Sequence, residues 1–269
     1  MKSNSFTRNE DSRVVYYKIS PSVGSNLWDE HWEETRKSSS EFYSRYARGH
    51  LGYGLLGYVF QKYLPKRGRI LEAGCGLGQF VLALCARGYN CIGIDYAHKA
   101  IQNLKKYFPD IPVMAGDVCH LNIKDESLDA YISLGVVEHF REGPVIPLRE
   151  AFRVLKKRGT LIVSVPQAFE WRRHDAHSES TPLPDKAVFY QYAFSPDEFR
   201  EFLIATGFTI KAEYGYSLHY AFRLRFKAFG KLLNIFPKLS RIDILTDRLQ
   251  LGPDISRMRL YIATKEHGY

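Results

Sequence analysis

The chain has 269 residues, 45% of them hydrophobic, and a formal net charge of +9. That length suits one domain with insertions and a substantial core. No run approaches the ~20 uncharged apolar residues of a membrane span. The polar stretch from Met1 to Glu10 lacks the apolar centre of a secretion signal, so cytoplasmic residence is expected. Cys75, Cys85, Cys91 and Cys119 contain no Cys-x-x-Cys pair, which argues against a zinc site or a disulfide frame and for reduced, buried thiols.

In chain order, residues 1–12 are polar and read as lacking fixed structure. Residues 27–48 carry Trp28, Trp32, Phe42, Tyr43 and Tyr46 among charges and read as one or two helices. Residues 52–64 read as another, ending at the turn Pro65-Lys66-Arg67-Gly68. Then comes Ile70-Leu71-Glu72-Ala73-Gly74-Cys75-Gly76-Leu77-Gly78, an apolar strand ending in an acid and three alternating glycines, before a helical pattern. Such a loop lets backbone approach a ligand closely and opens on a helix N-terminus, whose unpaired N–H groups favour an anion. A tight strand-to-helix turn without ligand has the same outline. The NAD fingerprint Gly-x-Gly-x-x-Gly is not met, because Gln79 stands where its third glycine would fall.

Cys91-Ile92-Gly93-Ile94 reads as a second buried strand ending at Asp95, followed by Tyr96. An acid there can accept from two ribose hydroxyls, or it can cap the helix that begins near His98. Val113 to Val118, with Asp117, and Leu128 to Leu134 read as two further strands. Ala151 to Pro166 reads as helix, a turn Lys156-Lys157-Arg158-Gly159 with a helix-ending glycine, and a fifth strand. Gln167 to Gln191 is too polar for a core element and too long for an ordinary connection. Ser195-Pro196-Asp197-Glu198 is a helix start, with Ser195 as N-cap and Glu198 closing a capping box. Phe208 to Tyr214 reads as a sixth strand and Met258 to Thr264 as a seventh. Between them Phe222, Phe226, Phe229 and Leu233 recur at helical spacing. Every ionised residue from Arg223 to Arg241 is basic, so 222–241 predicts a cover for the sheet, a lid, a subunit interface or a peripheral membrane contact.

The glycine loop with Glu72, followed by Asp95, Asp117 and the fifth-strand segment, resembles the class I S-adenosylmethionine (AdoMet)-dependent methyltransferases over roughly residues 68 to 166 and again from Phe194 to Tyr214. The resemblance implies an α/β fold: a doubly wound, seven-stranded sheet, mostly parallel with the last strand antiparallel, and helices on both faces. It divides the chain into an N-terminal helical cap (1–64), an AdoMet-binding core (65–214), an amphipathic insertion (215–257) and the final core strand (258–269). It implies that Glu72, Gly74, Cys75, Gly76, Gly78, Asp95, Tyr96, Asp117, Val118 and Leu134 surround the cofactor. Asp95 would take the ribose, and Asp117 with Val118 would meet the adenine.

Leu134-Gly135-Val136-Val137-Glu138-His139-Phe140 stands where the family's fourth motif faces the methyl group. It lacks the Asn/Asp-Pro-Pro-Tyr/Phe of amine-directed nucleobase enzymes and resembles the small-molecule branch, which includes ubiquinone-biosynthesis O-methyltransferases. Relatives with a metal carry Glu-x-x-Glu-His here. Gly135 replaces the first glutamate, so no metal is expected. His139 is the candidate general base, with His174 and His177 behind it. The expected reaction is methyl transfer to a small-molecule acceptor, most readily at oxygen. The alternatives are a nucleic-acid methyltransferase, which the basic charge would suit, and a non-catalytic AdoMet-binding or membrane-associated protein. Oligomeric state is not legible.

Overall fold

The computed structural model describes residues 5–266 apart from 12, 20–23, 36–38, 53 and 237–241. The chain opens with β1 (Ser5–Glu10) and β2 (Arg13–Ile19), then α1 (Ser25–Thr35), α2 (Ser39–Ala47) and α3 (Leu55–Tyr63). Strand and helix then alternate: β3 (Arg69–Ala73), α4 (Gln79–Ala86), β4 (Asn90–Asp95), α5 (His98–Tyr107), β5 (Val113–Ala115), β6 (Leu128–Leu134), α6 (Val145–Val154) and β7 (Leu155–Pro166). Next come α7 (Glu170–His174), β8 (Ala187–Ala193), α8 (Pro196–Ala205), β9 (Phe208–Tyr216), α9 (Leu218–Arg225), α10 (Lys227–Ile235), α11 (Ile242–Arg248) and β10 (Met258–Lys265).

Seven strands form one sheet in the order β5-β4-β3-β6-β7-β10-β9. β3, β4, β5, β6 and β7 pair in parallel, and β10 runs antiparallel to both β7 and β9. This is the doubly wound α/β sheet expected from the alternation. Side-chain period two sorts its residues into two layers. Leu71, Tyr131 and Val163 face one core, while Ile70, Ile132 and Ile162 face the other with Val59, Phe60, Val81, Ile101 and Leu104 from the helices. Connections leave β3 in opposite directions, so the sheet has its switch point between β3 and β6, where ligands of such sheets bind outside the strand C-termini.

Four expectations are corrected. The N-terminal residues 5–10 are a strand, not a structureless tail. β1, β2 and β8 form a second, antiparallel sheet, paired from Ser5↔Lys18 to Glu10↔Arg13 and from Val14↔Ala193 to Ile19↔Ala187. Val15, Tyr17 and Tyr192 bury this sheet's inner face against the layer of Leu71 and Tyr131. The N-terminal segment is thus not wholly helical, and the polar stretch 167–191 contributes α7 and most of β8 to ordered structure. Residues 156–159, read as a turn before the fifth strand, lie within β7; the left-handed residue there is Arg158 (φ 64°), whereas Gly159 is needed because a Cβ would sit 2.8 Å from the Lys156 carbonyl oxygen.

The segment expected as one amphipathic helix breaks at Phe226 into α9 and α10. Phe222 packs on Trp171 and Phe229, but Phe226, Leu232, Ile235 and Phe236 are exposed. Lys238 and Arg241 lie outside the described residues. The start of α8 is as read in part: the Ser195 hydroxyl accepts from the Glu198 amide at 3.2 Å, but the Glu198 carboxylate turns to Arg13 (2.5 Å) instead of closing the box. Among the described residues no helix is long and apolar enough to cross a membrane.

Candidate active site

A cavity of about 410 Å³ opens at the switch point, beyond the C-terminal ends of β3, β4 and β6. Glu72, Gly74, Cys75, Asp95, Tyr96, Asp117, Val118, Leu134 and His139 all contribute to its wall, so the sequence motifs converge. Gly76 and Gly78 are not in the wall. All three glycines have positive φ (79°, 51° and 66°), and each is demanded by packing. A Cβ on Gly74 would lie 2.3 Å from Val136 Cγ2, one on Gly76 2.5 Å from the Trp32 ring, and one on Gly78 2.3 Å from Leu104 Cδ2. The alternating glycines therefore let a left-handed turn nest under three side chains, a reason independent of any ligand.

Asp95 is buried at the tip of β4 and holds this turn. Its Oδ2 accepts from the Gly76 amide at 2.7 Å and its Oδ1 from the Ala97 amide at 2.8 Å. Each carboxylate oxygen keeps a second lone pair for a ribose hydroxyl. Burial raises its pKa, and the two amides oppose that. Asp95 does not cap α5; the cap comes from α1, where buried Asp29 accepts from the Lys99 amide at 2.9 Å. That bond and the seat of Trp32 on Gly76 fix α1 across the cavity mouth, where Trp28 and Trp32 join its wall. Asp117 accepts from the Cys119 amide (2.8 Å) and pairs with His120 (3.1 Å). Burial pushes its pKa up, but these partners outweigh it and hold the group below the usual value.

Glu72 is enclosed. Burial lifts its carboxyl to about 8 although the Val81 amide of α4 favours the charged form, and its Oε2 has no hydrogen-bond partner. Gln79 Oε1, in the same wall, is likewise buried without a partner. Two unsatisfied acceptors facing one cavity are the environment a cationic ligand group would complete. Gln79, Phe80, Val136 and Phe140 are wall residues that reading the motifs missed; Gln79 directly follows the glycines, which was the available signal. Cys75 is buried with its thiol pKa pushed up by burial, so it is no nucleophile.

His139 sits in the short turn Val137–His139 after β6. Its Nδ1 lies 2.6 Å from the Tyr190 carbonyl oxygen, which requires the Nδ1–H tautomer and leaves Nε2 as an acceptor. The ring is held edge-on between Trp28 (4.5 Å between centroids) and Tyr190 (4.9 Å). Burial depresses its pKa to about 4, so it does not titrate near neutrality as its residue type suggested. The other two histidines are elsewhere: His174 is exposed beside Asp175, and His177 stacks on Phe6. Among the described residues no cluster of three or more His, Cys, Asp or Glu could hold a metal ion.

Residues 71–163 match a family model described as a methyltransferase domain. This segment is similar to methyltransferase domains. A protein of Mycobacterium tuberculosis described as a probable S-adenosylmethionine-dependent methyltransferase is 29% identical over 152 residues, 56% of this chain and 53% of that one. A similarly described protein of Mycolicibacterium smegmatis is 27% identical over 146 residues, 54% of each chain. The chain thus spans about half the length of the curated relatives it matches. A solved Pyrococcus horikoshii protein superposes with a TM-score of 0.55 at 18% identity, covering 88% of this chain and 98% of that one, which bears on the fold alone. The Glu72 and Gln79 wall fits the cofactor of this family: its ammonium would satisfy the two unpartnered oxygens, and its ribose would meet Asp95.

Proposed function

We infer that the protein transfers a methyl group from AdoMet to a small-molecule acceptor, at an oxygen. The observation that carries this reading is a single cavity in which an acidic, cation-seeking end at Glu72 lies in the same wall as the aromatic group of Trp28, His139 and Phe140. AdoMet supplies, when bound, a methyl group on a positively charged sulfur. The chain's residues have the remaining tasks. Asp95 and Asp117 orient the nucleoside, and Glu72 and Gln79 take the amino-acid end. Trp28 and Trp32 cover the mouth and exclude water, so alignment can lower the barrier by ~7–11 kcal/mol without covalent help.

His139 receives the acceptor's proton at Nε2. It is neutral throughout the physiological range because burial disfavours the imidazolium. That makes it a fully available but weak base, suited to an acceptor whose hydroxyl is already acidic, as a phenol is.

Methyl-labelled AdoMet incubated with a panel of small phenols and hydroxy acids, and in parallel with RNA and DNA, tests the reading. Label is expected in a small molecule and nowhere in nucleic acid. Label confined to nucleic acid, or AdoMet that binds without any transfer to a broad panel, would overturn it.

A further inference from the structure

Beyond His139, away from the cofactor cavity, lies a second group of buried polar side chains. It is built where β7 ends and β10 begins, beside the C-terminal end of β6: Leu134 pairs with Ser164, and Met258 with Pro166. Gln167, the first residue past β7, ties it together. Its amide donates to the Arg257 carbonyl at 2.9 Å, and its own carbonyl accepts from Arg172 Nη1 at 2.9 Å. Arg172 is 9% exposed and lies over the rings of Tyr16 and Phe169. Arg257 packs 3.9 Å from the Tyr220 ring centroid.

Among the described residues neither Arg172 nor Arg257 has a carboxylate oxygen within ion-pair distance, and the Arg257 guanidinium repels that of Arg172. Arg172 Nε, Gln167 Oε1 and the neighbouring Glu138 Oε2 are buried with no hydrogen-bond partner. Burial lifts Glu138 to about 8 despite attraction to Arg257, so the carboxyl is a neutral donor near pH 7. Glu138 also neighbours Tyr190, whose carbonyl holds His139.

A buried arginine without an acid is costly, and unsatisfied atoms on the bonded pair Arg172 and Gln167, with a third on Glu138 near Arg257, are more than packing explains. A planar guanidinium fork is the side chain best matched to an oxyanion. We propose that this group is the acceptor subsite, and that the methyl acceptor carries an oxyanion, a carboxylate or a phosphate monoester, held by Arg172 and Arg257. Glu138 and Gln167 then bond the acceptor's polar substituents, and His139 stands between them and the cofactor end. This placement rests on the methyltransferase reading above, but the subsite itself is tested by binding.

Protein saturated with S-adenosylhomocysteine is titrated calorimetrically with benzoate, with phenyl phosphate and with neutral benzamide. Benzoate or phenyl phosphate is expected to bind and benzamide not, and the stronger of the two anions identifies the oxyanion. R172K keeps charge and volume but loses the fork, and R257Q changes the less buried partner. Each is expected to weaken the anion roughly tenfold while leaving S-adenosylhomocysteine affinity unchanged. Absence of anion binding to the wild-type protein overturns the proposal, as does equal binding by both variants. Failure of S-adenosylhomocysteine to bind would instead strike the methyltransferase reading, and the anion titration would be read on the unliganded protein.

Discussion

Two polar regions of the molecule, the cofactor cavity and the group around Arg172, have opposite charge. The end at β3 and β4 is acidic, with Glu72, Asp95 and Asp117 in its wall, and its unsatisfied atoms are acceptors. The end at β7 and β10 is basic, with Arg172 and Arg257, and Arg172 contributes an unsatisfied donor. His139 and Trp28, in the cavity wall, pack edge-on and are neutral. A molecule that must align a cationic donor with a nucleophile gains from this separation, because each ligand is rejected electrostatically from the other's place. The ends also differ in construction. The acidic end is held by backbone: amides of Gly76 and Ala97 on Asp95, with glycine-dependent nesting. The basic end is held by side chains from distant segments.

The sharpest way to break the contrast is at its middle. If His139 is the base, His139→Ala lowers turnover ~10²- to 10⁴-fold with little change in S-adenosylhomocysteine affinity. A base of pKa about 4 must be unprotonated to act, so the wild-type rate should hold down to about pH 4 instead of falling below the ordinary histidine value near 6.5. A rate profile with an acid limb at 6.5 would remove His139 from this role.

At the acidic end, Gly78→Ala is expected to cost roughly 2–4 kcal/mol of stability in urea unfolding, from a left-handed residue plus a methyl driven into Leu104. Unchanged stability with lost cofactor affinity would show the glycine serving the ligand instead. Asp95→Ala should weaken S-adenosylhomocysteine about 100-fold by calorimetry, because two hydrogen bonds to a charged group and the anchor of the turn vanish together. Binding as tight as wild type would refute the assignment.

The smallest effect is a pH dependence. With Glu72 at about 8 in the free protein, a proton must leave before a cationic group can pair with it. Cofactor affinity should therefore rise roughly tenfold from pH 6 to pH 7, and Glu72→Gln should flatten the dependence. The sign for folding is the reverse. A carboxyl whose folded pKa exceeds its unfolded value stabilises the fold when protonated, a contribution present below the unfolded value of about 4.3 and lost as pH rises to about 8.

The acidic end was legible because its parts are local. A strand, a turn and a helix start within residues 70–81 carry the glycines and Glu72, the next strand ends at Asp95, and Asp117 follows two residues after β5. Apolar runs alternating with helical spacing likewise pointed to a parallel sheet, and the resemblance implied seven strands with Met258 to Lys265 as the antiparallel member. What the acids and glycines touch was not legible. Trp32 over Gly76, Leu104 under Gly78 and Asp29 capping α5 join residues 26 to 70 positions apart.

Only the tertiary structure decided the rest. Residues 5–10 are too polar to predict as a strand, yet they pair along their whole length with Arg13–Lys18, and β8 extends that sheet from a segment some 170 residues later. Arg172, in a stretch dense with surface-type residues, becomes buried because that small sheet, α7 and the end of β7 close around it. Sequence by itself determined the core strands and the glycine loop with its acids, because those depend on short-range periodicity and turn chemistry. The burial that lowers the basicity of His139, raises the Glu138 carboxyl and leaves Arg172 without an acid arises from long-range packing, and burial is what gives a charge its chemistry.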